Sequence, residues 1–251
     1  MKNKLQFLVG LMLSISLFSC NYTEQIIIKK DGSGKVNLIT DASKMMELAA
    51  GLDDTSEGDA RIDSVMVMKD ILNDEELQRY SEADRALLKE LSLYTSRLLY
   101  DKEEEIMEID MYKDFKNVSE IKDLFKVYDK LMLLKPKDKE EVETNETATM
   151  PLKNLPYKTA YSFKGKTFIR KTTITDSVAY KEQLEKASAQ SMYYASSTYG
   201  IAYTFPHKIR STSKDDKIKL SKNKKTLFYE VSMKSYMKDP SILDIKVELK
   251  R

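Results

Sequence analysis

Apolar and polar residues alternate at both ends of the chain and fall into helical spacing between them. Gln25 to Lys30 and Lys35 to Thr40 flank Asp31-Gly32-Ser33-Gly34, which predicts a β-hairpin with glycines in the turn. Asp41 or Ser43 is placed to cap a short helix through Leu48, ended by Gly51. Residues 62–72 fit a strand or a helix. Ser81-Glu82-Ala83-Asp84 opens a predicted helix to about Tyr100, with Leu88, Leu91, Tyr94 and Leu98 on one face. A strand is expected over 105–113. Asn117 and Glu120 form a capping box for an amphipathic helix through Val118, Ile121, Leu124, Tyr128 and Met132.

Residues 135–149 are poor in apolar side chains and read as a long mobile loop within one domain. Strands follow at Tyr157 to Phe163 and Thr167 to Ile174, joined by Lys164-Gly165-Lys166. A helix is expected over 177–196. A strand from Ile201 to Phe205 stops at Pro206. Lys217 to Leu220 and Thr226 to Met233 form a second hairpin, and Ile245 to Lys250 alternates as a half-buried last strand. The pattern predicts an α+β fold: an antiparallel sheet with N- and C-terminal hairpins, backed by several α-helices.

The N-terminus carries an address. Lys2 and Lys4 precede an uncharged run of 14 residues, Leu5 to Phe18. A membrane span needs roughly 20 residues, so this run suits the core of a signal peptide. Leu17-Phe18-Ser19-Cys20 resembles a bacterial lipobox, which places cleavage before Cys20 and acyl chains on it. An ordinary secretory signal with a chance cysteine is the alternative. Each buried CH₂ contributes about 0.8 kcal/mol, so several chains on Cys20 anchor the protein in membrane lipid. The expected organisation is a signal peptide over 1–19, a short acylated tether over 20–24 and one domain over 25–251.

Composition removes most catalytic chemistry. One Cys and one His leave no intrachain disulfide, no Cys-based zinc site and no His cluster. Seven Gly leave little for glycine-rich cofactor loops, and no Gly-x-Ser-x-Gly elbow exists. His207 follows Pro206 at a strand exit and reads as an exposed structural residue. Asp53 to Asp59 is an acidic loop without EF-hand spacing. No enzyme, cofactor or metal is expected.

Charge changes the picture once. Without residues 1–19 the chain has 40 basic and 40 acidic residues, yet 20–150 is net −12 and 151–251 is net +12. The two halves either complement each other within one fold, the favoured reading, or mark a partner-facing side. Nucleic acid is not an expected partner, since Arg, which supplies base and phosphate forks, numbers 7 against 35 Lys. Lys208, Arg210, Lys222, Lys224 and Lys225 form a basic hairpin suited to anionic headgroups or another anionic ligand. Met45, Met46, Tyr194 and Tyr203 are candidates for the wall of an apolar pocket.

The order of a Cys-tethered strand, Asp31-Gly32-Ser33-Gly34, Ser43-Lys44-Met45-Met46, and then Tyr203-Thr204-Phe205-Pro206 with a basic hairpin and closing strand resembles a group of uncharacterised Bacteroidetes lipoproteins. It is more distantly similar to the LppM-type lipoprotein domain. The resemblance implies an α+β envelope protein with lipid or glycolipid binding and no catalytic residues. Asn21 and a single acid, Glu24, soon after Cys20 suit the periplasmic face of the outer membrane. The expected function is a membrane-anchored, non-enzymatic binding module for lipid or another amphiphile. The alternative is a protein-interaction or scaffolding subunit of an envelope assembly.

Overall fold

Strand β1 (Asn21–Ile28) begins directly after Cys20. Its even positions Tyr22, Glu24, Ile26 and Ile28 are buried, while Thr23, Gln25 and Ile27 face outward. Residues 21–24, read from the sequence as a tether, are therefore already strand. The computed structural model describes residues 20–44, 46, 60–78, 80–124, 156–188 and 196–250.

β1 pairs antiparallel with β2 (Gly34–Asp41) through the expected hairpin, Asn21 facing Asp41 and Ile28 facing Gly34. Its other neighbour is distant in sequence. β1 runs parallel to β8 (Thr198–Thr204), Tyr22 beside Tyr199 and Ile26 beside Tyr203. The remaining strands of this sheet are β3 (Arg61–Val67), β4 (Thr95–Asp101), β5 (Ile106–Phe115), β10 (Lys219–Leu220) and β11 (Thr226–Ser232). The order across it is β10-β11-β8-β1-β2-β5-β4-β3. A second, antiparallel sheet is ordered β6 (Tyr157–Lys164), β7 (Thr167–Ile174), β12 (Ile245–Leu249), β9 (Ile209–Thr212).

The fold is thus mainly β, and two expectations are corrected. The larger sheet is mixed rather than antiparallel, because β8 returns beside β1 in the same direction. Among the described residues, helices do not back it as a layer. The described helices are few and short: α1 (Met68–Ile71), α2 (Asp74–Gln78), α3 (Glu82–Leu91), α4 (Ser177–Ser188) and α5 (Met233–Lys238). The core lies between the two sheets, where Ile26, Leu38, Phe168, Tyr199, Leu227, Ile245 and Val247 share one cluster. Leu88 and Leu91 of α3 join it.

Local signals explain where reading and structure part. α3 stops at Leu91, and Thr95 to Asp101 is a strand, although Leu98 continued the helical spacing. A strand takes that segment because β3 and β5 both pair with it. The Asn117 and Glu120 signal is real but serves a 3₁₀ turn (Val118–Glu120): Asn117 Oδ1 accepts from Ser119 N at 3.0 Å and Glu120 Oε2 from Lys116 N at 3.2 Å. Ile121 is extended, which ends the turn. The 135–149 loop lies outside the described residues.

One contact fixes the hairpin to its neighbour. A Cβ on Gly34 would stand 1.9 Å from the Ile27 carbonyl oxygen and 2.6 Å from the Phe115 ring. Backbone cannot yield as a flexible side chain would. Gly34→Ala is expected to lower stability by about 2 kcal/mol or more. Urea unfolding of the variant beside Gly32→Ala checks this, since nothing stands within 4 Å of a Cβ at Gly32 and its cost there is the positive φ of 85° alone.

Candidate functional site

The inward face of β1 carries a carboxylate into the core. Glu24 is 1% exposed. Three tyrosines reach it from two sheets. Tyr161 on β6 donates to Oε2 at 2.9 Å, Tyr199 on β8 donates to the same oxygen at 3.2 Å, and Tyr203 on β8 donates to Oε1. Arg170 on β7, also 1% exposed, stands with Nε 3.8 Å from Glu24 Oε1. Its Nη1 donates to Thr172 Oγ1 at 3.1 Å and lies 3.5 Å from Asp244. Asp244 in turn accepts from Thr172 N at 2.7 Å.

Aromatic rings seal this cluster. Phe168 meets Tyr203 and Phe205 edge-on, each at 5.3 Å between centroids. Tyr199 stacks on Tyr236 of α5 at 4.4 Å, and the Tyr236 and Tyr157 hydroxyls are 3.1 Å apart. Burial pushes the Tyr161, Tyr199 and Tyr203 hydroxyls well above their ordinary value, and the Glu24 charge adds to it. Burial opposes the Arg170 charge, but Tyr161 and Glu24 outweigh it, and the guanidinium is held above its usual value. A carboxylate taking three hydroxyl bonds beside a guanidinium is a structural centre, in which the buried Arg170 Nε, 3.8 Å from Glu24, makes no hydrogen bond of its own.

The candidate pocket residues separate. Tyr203 is wholly buried, but its hydroxyl is spent on Glu24. Met46 is buried outside the hydrophobic cluster that holds Tyr203. Met45 and Tyr194 lie outside the described residues. The described cavity, about 340 Å³, is instead a half-open hollow on the outer face of the large sheet. Gly200 and Ala202 form its floor with Thr23, and Phe228, Lys217, Lys219 and Glu230 form its rim. Small residues on the outward positions of β8 create it, a signal present in the alternation of residues 198–204.

The basic candidates do gather. Ile209 N donates to the Lys224 carbonyl at 2.8 Å and Phe205 N to the Lys225 carbonyl at 2.9 Å, so the turn between β10 and β11 lies against residues 205–209. Lys208, Lys222 and Lys224 are exposed there. Arg210 sits on the outer face of β9, 4.0 Å from Glu248. His207 is exposed, as expected. Cys20 is half-buried, and burial pushes its thiol up. Among the described residues no group of three or more metal-ligating side chains forms a cluster, and the Asp53 to Asp59 loop lies outside them.

No family model, curated protein or solved structure matches the chain.

Two outcomes follow from the Glu24 centre. Arg170→Met leaves a buried carboxylate without its cation and is expected to cost about 3–5 kcal/mol in denaturant unfolding, whereas the Glu24→Gln/Arg170→Met pair costs less than Arg170→Met alone. Stability also depends on alkaline pH. Unfolded tyrosine loses its proton near pH 10, whereas the buried hydroxyls keep theirs to higher pH. Above about pH 10 the unfolded chain therefore binds fewer protons, and stability falls as pH rises. Urea midpoints should hold steady from neutral pH to about 9.5 and then decline, with late tyrosinate absorbance appearing only on unfolding.

Proposed function

We propose that the chain is a lipid-anchored envelope protein that works without catalysis, by binding through its exterior. The observation that carries this reading is the placement of Cys20. The lipobox-like residue is the last before the central strand of an eight-stranded sheet, so an anchor there fixes the orientation of the domain as well as its address. The periplasmic face of the outer membrane is the proposed location. Among the described residues no helix is long and apolar enough to cross a membrane.

Among the described residues, the packed cluster between the sheets favours an interaction module over an internal lipid carrier. Glu24 is engaged by three tyrosine hydroxyls and Arg170 by Thr172 and Asp244, so these core polar groups serve one another. A second reading rests on the outer hollow. Its size falls at the low end of small-molecule sites, and Lys217 and Lys219 on its rim suit one anionic head with a short apolar body against Phe228. Native mass spectrometry of the gently purified protein separates the readings. A retained small amphiphile that is lost in Ala202→Glu supports the second, and a bare mass supports the first.

Anchoring is tested directly. Growth with labelled palmitate should mark the wild-type chain and leave Cys20→Ser unlabelled and released from membranes. A wild-type chain that stays unlabelled and soluble overturns the anchored reading.

A further inference from the structure

The strand directions sort the molecule into two ends. Cys20 and Asn21 lie at one end of β1, and the turn after Ile28 lies at the other, roughly 25 Å away for an eight-residue strand. Acidic residues gather at the Cys20 end. Asn21 faces Asp41 and Asp41 faces Glu108, and the exposed turn Glu103-Glu104-Glu105 joins β4 to β5 on that side.

The opposite end gathers basic turns from both sheets, while the acid-rich connection from β3 to β4, with Asp70, Asp74, Glu75 and Glu82, lies at the same end beyond β5. Lys29 and Lys30 open the β1–β2 turn. Lys222, Lys224 and Lys225 fill the β10–β11 turn, which enters and leaves at this same end because Thr226 faces Thr204 and Thr204 lies beside Ile27. The second sheet adds more. Lys164 and Lys166 make the β6–β7 turn, and the Lys166 carbonyl accepts from Leu249 N at 2.9 Å. Lys250 N donates to the Lys208 carbonyl at 2.7 Å, which places those two side by side, next to Lys224 through Ile209. These lysines are exposed apart from the partly covered Lys225, and among the described residues none is paired with a carboxylate. Asp31 is the acid within these turns, and Ser33 engages it at 2.7 and 3.0 Å.

The crown is wide. Strand spacing puts its two outer turns about 14 Å apart, and the second sheet stands about 10 Å behind. A lone phosphate or nucleotide reaches two or three such lysines, whereas a chain with repeating charges meets them all. Among the described residues the turn tips offer no aromatic or arginine anchor, and lysine is depleted from protein interfaces, so a folded acidic partner fits less well. We propose that this lysine crown is a docking surface for a linear polyanion, a polymer with repeating phosphate or carboxylate groups held by charge rather than by shape. Its direction rests on the anchored reading: with acyl chains on Cys20, the crown faces away from the bilayer that holds the protein, and binds a polymer on that far side. The charge argument itself does not need the anchor.

The test uses the full chain purified in a neutral detergent, so that an unlipidated chain enters the assay equally well. Long-chain inorganic polyphosphate, polyglutamate and phosphatidylglycerol vesicles are the three probes. Polymer binding should weaken steeply with salt, as counterion release requires. Lys29→Glu/Lys30→Glu, Lys164→Glu/Lys166→Glu and Lys222→Glu/Lys225→Glu should each lower polymer affinity about tenfold and flatten the salt dependence. Lys234→Glu/Lys238→Glu, on exposed positions of α5 outside the crown, should change it less than about twofold. Three separate turns guard against one misfolded variant. Absence of polymer binding, equal loss in the α5 control, or binding to vesicles but to neither polymer overturns the proposal. Preference for one polymer identifies phosphate or carboxylate as the recognised group.

Discussion

The contact on which the rest of the architecture depends is the buried pair of Glu24 and Arg170. One belongs to the central strand of the large sheet and the other to the second sheet, so their attraction spans the interface between layers. Neither charge survives burial alone. The tyrosine hydroxyls supply the donors that the guanidinium, at 3.8 Å, does not, and Thr172 and Asp244 occupy its far side. Polar groups this constrained specify one packing of the sheets, since a slip of one residue in β1 would turn Glu24 to solvent and bury Thr23 or Gln25 in its place.

The sign of the charge along the chain translates into this structure only in part. Complementation between an acidic first half and a basic second half is carried, among the described residues, by Glu24 with Arg170. The other ion pairs stay within one half: Asp63 with Arg97, Glu90 with Lys122, and Asp244 with Lys171. The basic turns that have no carboxylate partner gather at one end, so part of the imbalance becomes a polarity of the folded domain.

Strand content was legible where alternation was strict. β2, β6, β7 and β12 follow the reading closely, because each has one wet and one dry face. Helical spacing misled at Thr95 to Asp101, where cross-strand partners decided the outcome. The buried centre was hidden for a different reason. Glu24 keeps the phase of Tyr22, Ile26 and Ile28 but lies in the segment read from the sequence as a tether, and Arg170 keeps that of Phe168 and Thr172 within an expected strand, where nothing local says that its charge faces the core. The parallel neighbour of β1 was equally invisible, since no local pattern joins residue 22 to residue 199. The basic turns were each readable as turns; that they share one end follows only from strand direction.

The parallel neighbour has a consequence for how the chain comes to be folded. β1 is made first and can zip to β2 across a short turn, but its other edge stays open until β8 is synthesised, some 177 residues later. A pairing with so large a loop to close is slow. Until the chain is complete, therefore, an apolar strand edge with a buried-type glutamate stays open. Assembly of this domain is C-terminal in its timing although N-terminal in its origin, and the interval between the two is when the chain most needs something to occupy that edge.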